Sequence, residues 1–141
     1  MIRAVIDTSV LIRYLVKPSA AIKELIEVRW LGDEVLMVTA PELIAELEGV
    51  LGRDYIRALI QPEEGQALLD AIYLKADILP PLGPIPSYTR DSKDDKFIAC
   101  ALAGDAEYII TVDKDLLILE TLSDVRIATP YEFVARFKTE G

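Results

Sequence analysis

The sequence contains no histidine and only one cysteine among its 141 residues. Without histidine, zinc sites that combine His with Cys and nucleophilic triads that depend on a His base are excluded. The single cysteine, Cys100, cannot form an internal disulfide. Because Cys100 lies inside an apolar helical run, we expect a buried and unreactive thiol. Chemistry based on imidazole or on paired thiols is therefore excluded for this chain.

Long hydrophobic runs are also absent. The apolar runs are far shorter than the ~18 residues that a membrane span requires. The beginning of the chain does not have the charged, apolar and small-residue regions of a signal peptide. We therefore expect a cytoplasmic protein with no membrane association. The length of 141 residues predicts a single domain, residues 1–141, with a substantial core, and the 52% hydrophobic content excludes a disordered chain.

Positive charge is the third deficit, with 15 Lys and Arg against 24 Asp and Glu and a net charge of -9. Charge alone argues against a nucleic-acid ligand, because affinity for phosphates normally comes from Lys and Arg. The objection weakens if several acids bind a divalent metal, since the bound ion reverses the local charge that a phosphate meets. The acidity also favours a basic partner segment.

Apolar β-type runs alternate with helical patterns along the chain. The sequence predicts strands at residues 1–6, 35–38, 77–79, 108–111 and 125–128. It predicts helices at residues 10–16, 20–30, 42–51, 55–60, 63–75, 97–103 and 131–137, with a turn and short helix at 113–119. Thr8 or Ser9 is expected to cap the first helix. The alternation predicts an α/β domain, a three-layer α/β/α sandwich with a mostly parallel sheet of about five strands.

Acidic residues follow two of the predicted strands, precede the helix at residue 97 and lie at the apolar face of the helix at 42–51. In open α/β sheets ligands bind outside the carboxyl ends of the strands, so these acids are expected to meet at one edge. Oxygen ligands without nitrogen or sulfur suit Mg²⁺ or Mn²⁺. The acids are Asp7, Glu46, Asp91, Asp94, Asp95, Asp113 and Asp115.

Taken one at a time, these acids have simpler interpretations. Asp7, the acids at residues 91–95 and Asp113 each suit a helix cap or turn, and Glu46 alone suits a surface position. The hypothesis of a metal site therefore depends on the joint pattern. Carboxylates packed together repel one another and raise some pKa values unless a metal is present, and this costs stability. That cost is a physical reason to suspect a function.

Four segments, in this order along the chain, resemble the PIN domain family and, within it, the bacterial and archaeal VapC-like toxins of toxin–antitoxin systems. They are IDTSVLI (6–12), PELIAELEGVL (41–51), RDSKDDKFIACALAGDAEYIITVDKDLL (90–117) and RIATPYEFV (126–134). The resemblance implies a small α/β/α sandwich around a parallel sheet. It also implies cleavage of RNA by a metal-activated water, with Mg²⁺ or Mn²⁺ bound by acids.

The resemblance assigns roles to individual residues. It implies that catalysis depends on Asp7, Glu46, Asp94 and Asp113. The implied metal ligands are the same four acids together with Asp95. Counting back from Ala101 favours Asp94 within the adjacent pair, with Asp95 as the neighbour that can substitute for it.

Further positions are expected to support the site: Ser9, Asp91, Thr111 and Asp115. Of these, Ser9 and Thr111 match small hydroxyl positions near the metal or its water shell. The sequence departs from the family pattern at Val112, where Gly or Asn is expected, and at Ser92-Lys93, where a proline-containing pair is more usual. Neither departure removes an acid, and both leave the fine geometry open.

The implied function is that of an endoribonuclease toxin that is silenced by a cognate antitoxin protein and forms a homodimer. A catalytically inactive PIN fold that binds RNA or acts as a scaffold is the main alternative, and cleavage of DNA is a third hypothesis. Several cations lie near the acids in sequence, although for most of them a solvated surface position is the simpler expectation. They are Arg13, Arg90, Lys93, Lys96 and Lys114.

Overall fold

The computed structural model describes the backbone of residues 1–140 and the side chains of residues 1–138. Six strands form one sheet in the order β3-β2-β1-β4-β6-β5. All neighbouring strands are parallel except β5, which runs antiparallel to β6. The strands are β1 (Ile2–Ile6), β2 (Val35–Thr39), β3 (Asp77–Ile78), β4 (Tyr108–Ile110), β5 (Thr121–Leu122) and β6 (Val125–Ala128).

Helices connect the strands. Helix α2 continues directly into a π-helical segment, Glu24–Trp30, so that the two together cover the single helix predicted at residues 20–30. The helices are α1 (Thr8–Val16), α2 (Ala20–Lys23), α3 (Pro41–Leu51), α4 (Asp54–Arg57), α5 (Pro62–Lys75), α6 (Asp95–Ala103), α7 (Lys114–Leu117) and α8 (Pro130–Glu140). Among the described residues, no helix combines the length and the apolar character needed to span a membrane.

Alternating residues of the central strands point to opposite faces of the sheet, as the two-residue period of a strand requires. In β1, Ala4 and Ile6 pack with Trp30 and Phe133 in one core, whereas Val5 packs with Phe97 in the other. The first core is covered by α1, α2, the π-helical segment, α5 and α8, and the second mainly by α6. This arrangement confirms the predicted three-layer α/β/α fold with a mostly parallel sheet.

The differences from the predicted elements are local. The sheet has six strands rather than about five because the two-residue strand β5 had no hydrophobic pattern by which to recognise it. The predicted cap of the first helix was wrong, because Asp7, not Thr8 or Ser9, accepts the capping hydrogen bond from the Ser9 N–H. Cys100 is fully buried, and burial together with the charges of Glu42 and Asp77 raises its pKa to about 12, so the thiol stays protonated at neutral pH.

Candidate active site

The site lies at the carboxyl ends of the two central strands, β1 and β4. Ile6 is in register with Ile110, and the Asp7 N–H donates to the Ile110 carbonyl at 3.0 Å. Asp7 and Thr111, the residues that follow these two strands, are therefore neighbours although 104 positions separate them in the sequence. The chain leaves each strand at this edge, where ligands bind in open α/β sheets, and both Asp7 and Thr111 are buried there.

Asp7 is buried and held by hydroxyl groups. Its Oδ2 accepts from Thr111 Oγ at 2.6 Å and from Ser9 Oγ at 2.9 Å, and its Oδ1 accepts from the Ser9 N–H at 3.4 Å. Burial raises the pKa of Asp7 even though these hydrogen bonds act to lower it, and the charge of Glu46 raises it further. Asp7 is therefore both the cap of α1 and a member of the acidic cluster.

The orientation of Thr111 is fixed from both sides. Its hydroxyl accepts from the Asp113 N–H at 2.9 Å while it donates to Asp7. Asp113 in turn caps α7, where its Oδ1 accepts from the Asp115 N–H at 2.9 Å. The buried Thr111 hydroxyl thus connects the end of β4 to the end of β1 through its hydrogen bonds with Asp113 and Asp7.

Asp94 is the least compensated acid of the cluster. It is buried, and its Oδ2 has no hydrogen-bond partner among the described residues. Burial raises its pKa to about 7, and the neighbouring carboxyl group of Asp113 and the charges of Asp7 and Asp91 raise it further. Three segments of the chain therefore bring carboxyl groups together here, and Asp94 forms no ion pair with a cation among the described residues.

The adjacent residue Asp95 has a different role. Its Oδ1 accepts three hydrogen bonds from the preceding loop: from the Tyr88 N–H at 3.0 Å, the Thr89 N–H at 2.8 Å and the Thr89 hydroxyl at 2.9 Å. Burial alone would raise the pKa of Asp95, but these hydrogen bonds outweigh it and the pKa is lowered. Asp95 fixes the loop that leads into α6, and the structure does not bring it into the acidic cluster.

Glu46 reaches the site from α3. Its Oε2 accepts from the Thr8 hydroxyl at 2.5 Å, and its Oε1 forms an ion pair with Lys96 Nζ at 2.9 Å. Both side chains of the ion pair are about three-quarters buried, so solvent screens it only in part. Glu46 is thus a neighbour of Asp7 whose charge is already balanced within the chain.

A cavity of about 440 Å³ opens above these groups. Five of the predicted acids line it, together with three cations, a tyrosine and apolar side chains. The lining consists of Asp7, Thr8, Ser9, Ile12, Arg13, Glu46, Val50, Arg53, Tyr55, Asp91, Lys93, Asp94, Phe97 and Asp113. The structure therefore brings together residues from five separate segments of the chain.

The supporting acids lie at the margin of this cluster. Asp91, Asp94 and Asp115 each offer one carboxylate oxygen, and these three oxygens lie within 4.8 Å of one another. Asp115 also forms an ion pair with Arg90 Nη2 at 3.2 Å, and both side chains are exposed to solvent. Asp94 therefore belongs both to this group and to the group around Asp7.

The donor set fits a hard divalent cation. All of the converging side chains offer oxygen, and one buried oxygen of Asp94 lacks a partner among the described residues. Burial raises the pKa values of Asp7 and Asp94, and neighbouring acids raise them further. Asp7, Asp94 and Asp113 are the residues best placed to hold such an ion. A bound divalent cation would favour the charged form of these carboxyl groups and so lower their pKa values.

The cations that were predicted to lie near the acids divide into three groups. Arg13 and Lys93 line the cavity, whereas Arg90 and Lys96 form ion pairs with acids, and Lys114 is exposed. Two further residues of the cavity, Arg53 and Tyr55, were missed, because no chemistry was predicted for the segment that follows α3. The glycine at residue 52, which ends α3 and turns the chain there, was the only signal in the sequence.

Comparison with known proteins agrees with this architecture. The family model described as PIN domain matches residues 3–115, a range that includes every acid of the predicted site. No curated protein matches the chain. PIN domains are generally nucleases, and they typically use divalent metal ions. Since the match covers most of the chain, this protein belongs to the PIN domain family.

Proposed function

We propose that this protein is a metal-dependent endoribonuclease that hydrolyses RNA phosphodiester bonds, and that it acts as the toxin of a toxin–antitoxin pair. The observation that carries the proposal is the environment of Asp94. A buried carboxylate with an unpartnered oxygen, facing Asp113 and Asp7, costs stability unless a cation joins it. Membership of a nuclease family makes catalysis the function that best accounts for that cost.

The residues of the chain have distinct tasks in this proposal. Asp7, Asp94 and Asp113 hold Mg²⁺ or Mn²⁺. The chemistry that such an ion supplies is activation of a water molecule and stabilisation of the leaving oxygen. Thr111 and Ser9 hold the Asp7 carboxylate in one orientation through their hydroxyl groups. These contacts fix the position of the ligand before substrate binds.

Glu46 acts from the wall of the cavity. Its contacts with Thr8 and Lys96 hold the carboxylate in one position beside Asp7. Lys96 also reduces the negative charge that an approaching phosphate meets, which lessens the objection raised by the net charge of -9.

The test is cleavage of a panel of single-stranded and structured RNAs, with DNA of the same sequences, in Mn²⁺, Mg²⁺ or EDTA. Wild-type protein is expected to cut RNA only with a metal, and Asp7→Asn is expected to lose at least ~100-fold in rate because it removes a charged ligand. Asp70→Asn is the matched control, since Asp70 is exposed and, among the described residues, its side chain accepts a hydrogen bond only from Gln66.

Other outcomes overturn particular parts of the proposal. Cutting that persists in EDTA, or that is equal in Asp7→Asn, contradicts the metal-dependent mechanism. Preferential cutting of DNA overturns the assignment of RNA as substrate. RNA binding without cutting under any of these conditions supports the alternative, an inactive PIN module that binds RNA or acts as a scaffold.

The toxin role has its own support and its own test. The acidic cavity and the net charge of -9 suit a cognate antitoxin that covers the site with a basic segment. Expression of the wild type is expected to stop bacterial growth, whereas Asp7→Asn is expected to be tolerated. We propose in addition that the protein is a cytoplasmic homodimer, which sedimentation equilibrium of the purified protein would test.

A further inference from the structure

The corner between α3 and α4 lines the cavity with residues that do not belong to the acidic cluster. Arg53 precedes α4, and Tyr55 lies in the first turn of this helix. The next residue, Ile56, is buried, whereas 58% of Tyr55 is exposed. The buried neighbour holds the backbone of the corner against the protein, and the exposed Tyr55 is one of the residues that line the cavity.

The cations that line the cavity differ from several other cations of the chain because they form no ion pair with a described residue. Arg3, Arg29, Arg90 and Lys96 each form an ion pair with a carboxylate. Three cations line the cavity: Arg13, Arg53 and Lys93. They form no ion pair with any residue that the structure describes, although five acids line the same cavity. In a chain with an excess of acids, cations left unpaired beside a cavity are free to bind an external anion such as a phosphate.

Arg53 and Tyr55 are also next to each other in space. Arg53 Nη1 donates a hydrogen bond to the Tyr55 hydroxyl at 3.3 Å. An exposed aromatic face beside a guanidinium group is the combination with which proteins bind single-stranded nucleic acid, because a base stacks on the ring while the cation contacts the backbone. A base inside a duplex is already stacked between its neighbours and cannot lie on the ring.

We propose that Tyr55 stacks on an unpaired base of the substrate beside the bond that is cut, and that Arg53 binds a phosphate next to that base. This corner then selects single-stranded RNA over duplex RNA. The inference deepens the proposed nuclease function and rests on it, because it treats the acidic cavity as the place where RNA is cut.

The chain offers matched controls for both residues. Tyr73 is 59% exposed, the same as Tyr55 within one per cent, but it lies on α5 outside the described lining of the cavity. Arg57 is the last residue of the same short helix, four residues after Arg53, and borders a different cavity. If the exposure of a tyrosine or the loss of a positive charge were enough to change RNA binding, substitution of the controls and of the tested residues would have equal effects.

The experiment compares Tyr55→Leu, Tyr55→Phe and Arg53→Gln with Tyr73→Leu and Arg57→Gln. The Michaelis constant for cleavage is measured with a single-stranded RNA and with the same sequence in a duplex. Binding of the fluorescently labelled RNA is measured in parallel by anisotropy in EDTA. The unfolding midpoint of each variant shows whether the fold is intact.

Tyr55→Leu is expected to weaken binding of the single strand about 10-fold, from the usual contribution of base–aromatic stacking, with little change in kcat. The preference for single strand over duplex should fall by the same factor. Tyr55→Phe keeps the ring and is expected to stay within about 2-fold of wild type. Arg53→Gln is expected to lower the salt dependence of binding by about one phosphate contact, and the two controls should behave as wild type.

The outcomes separate this inference from the proposed function. If wild type cuts RNA and Tyr55→Leu has an unchanged Michaelis constant, the stacking role is overturned and the nuclease assignment stands. If wild type does not cut but binds single strands through Tyr55, the nuclease assignment fails and the corner remains a nucleic-acid site. If Tyr73→Leu has the same effect as Tyr55→Leu, or if the wild type neither binds nor cuts, the inference is wrong.

Discussion

The two ends of strand β1 hold charged side chains in opposite arrangements. Near the beginning of the strand, Arg3 pairs with Asp77 at 2.7 Å and donates to the Gly104 carbonyl at 2.8 Å. At the other end, Asp7 receives only neutral hydroxyl and amide donors and raises the pKa of the neighbouring carboxyl group of Asp94. The charge of Arg3 is balanced within the chain, and we call this the complete end of β1. The negative charges of Asp7 and Asp94 are not balanced by a cation among the described residues there, and we call this the incomplete end.

This difference favours the carboxyl end of β1 as the end that a bound cation would stabilise. A carboxylate beside a guanidinium group stabilises the fold modestly when both are partly exposed. Carboxylates that face one another destabilise the fold, although Asp7 and Asp113 also stabilise it as the caps of α1 and α7. Asp94 has no such compensation for its second oxygen among the described residues, so it is the acid that would gain most from a bound cation.

Replacement of the least compensated acid tests this comparison most strongly. Asp94→Asn is expected to lower metal-dependent cleavage by at least ~100-fold, because it removes a charged ligand. The free energy of unfolding of the metal-free variant should be no lower than that of wild type, since the change removes repulsion. Cleavage rates and denaturant unfolding in EDTA measure the two effects.

Asp95→Ala provides the opposite pattern. It leaves the Tyr88 and Thr89 N–H groups without their acceptor and is expected to lower the free energy of unfolding by about 1–3 kcal/mol. A variant at residue 95 that retains its stability but loses metal binding would contradict the division of roles between these two neighbouring acids.

Addition of a metal should complete the incomplete end. With free Mn²⁺ at 100 times its dissociation constant, wild-type stability is expected to increase by about 2.7 kcal/mol, provided that the unfolded chain does not bind the ion. Thermal unfolding with and without EDTA measures this effect. In Arg3→Gln the increase should persist, and in Asp94→Asn it should largely disappear. Equal increases in the two variants would mean that the ion binds elsewhere.

The pH dependence of the metal-free protein should also come from the incomplete end. The pKa of Asp94 is raised from 3.8 to about 7, so the folded state keeps a proton that the unfolded state has lost. The contribution of Asp94 to stability is therefore complete below pH ~4 and is lost as the pH rises to about 7. Urea unfolding in EDTA should show this decline, and Asp94→Asn should reduce its slope. A slope that Asp94→Asn leaves unchanged would assign the titration to other groups.

Disruption of the complete end should have the smallest effect. Arg3→Gln removes the ion pair with Asp77, whose side chain is 39% exposed, so solvent screens much of the interaction. The expected loss is about 0.5–1 kcal/mol in the free energy of unfolding, with no change in the rate of RNA cleavage. A large loss of cleavage in this variant would show that the two ends of β1 are coupled.

The fold and the general position of the site could be predicted from the sequence for a simple physical reason. Short apolar runs identified the strands, and in a parallel sheet the carboxyl ends of the strands lie at one edge. The acid after β1 and the acid after β4 were therefore expected at the same edge, and the strand order, which was not predicted, makes them neighbours. The register of Ile6 with Ile110 places them so.

The division between Asp94 and Asp95 was harder to predict because both precede the same helix. Family resemblance favoured Asp94, but sequence spacing alone does not show which carboxylate turns back toward the loop. The three hydrogen bonds from Tyr88 and Thr89 depend on the path of the loop after its proline-rich part. That path is anchored far away in sequence, where the Leu82 N–H donates to Glu42 at 2.8 Å.

Tyr55 and Arg53 could not be predicted as part of the site. An exposed tyrosine on a four-residue helix adds nothing to an apolar period, so its place in the cavity depends only on where α3 ends and how the chain turns. Strand β5 was missed for a related reason. It is two residues long and forms only through its antiparallel pairing with β6.

The strand order also sets the moment at which the site can first exist while the chain is being made. β1 is synthesised first, but the neighbour that completes its carboxyl end, β4, and the acid at residue 113 follow about a hundred residues later. A growing chain folds from its N-terminus and lacks Thr111 and Asp113 until more than a hundred residues have been made. The acidic cluster of the proposed nuclease is therefore incomplete until residue 113 has been added.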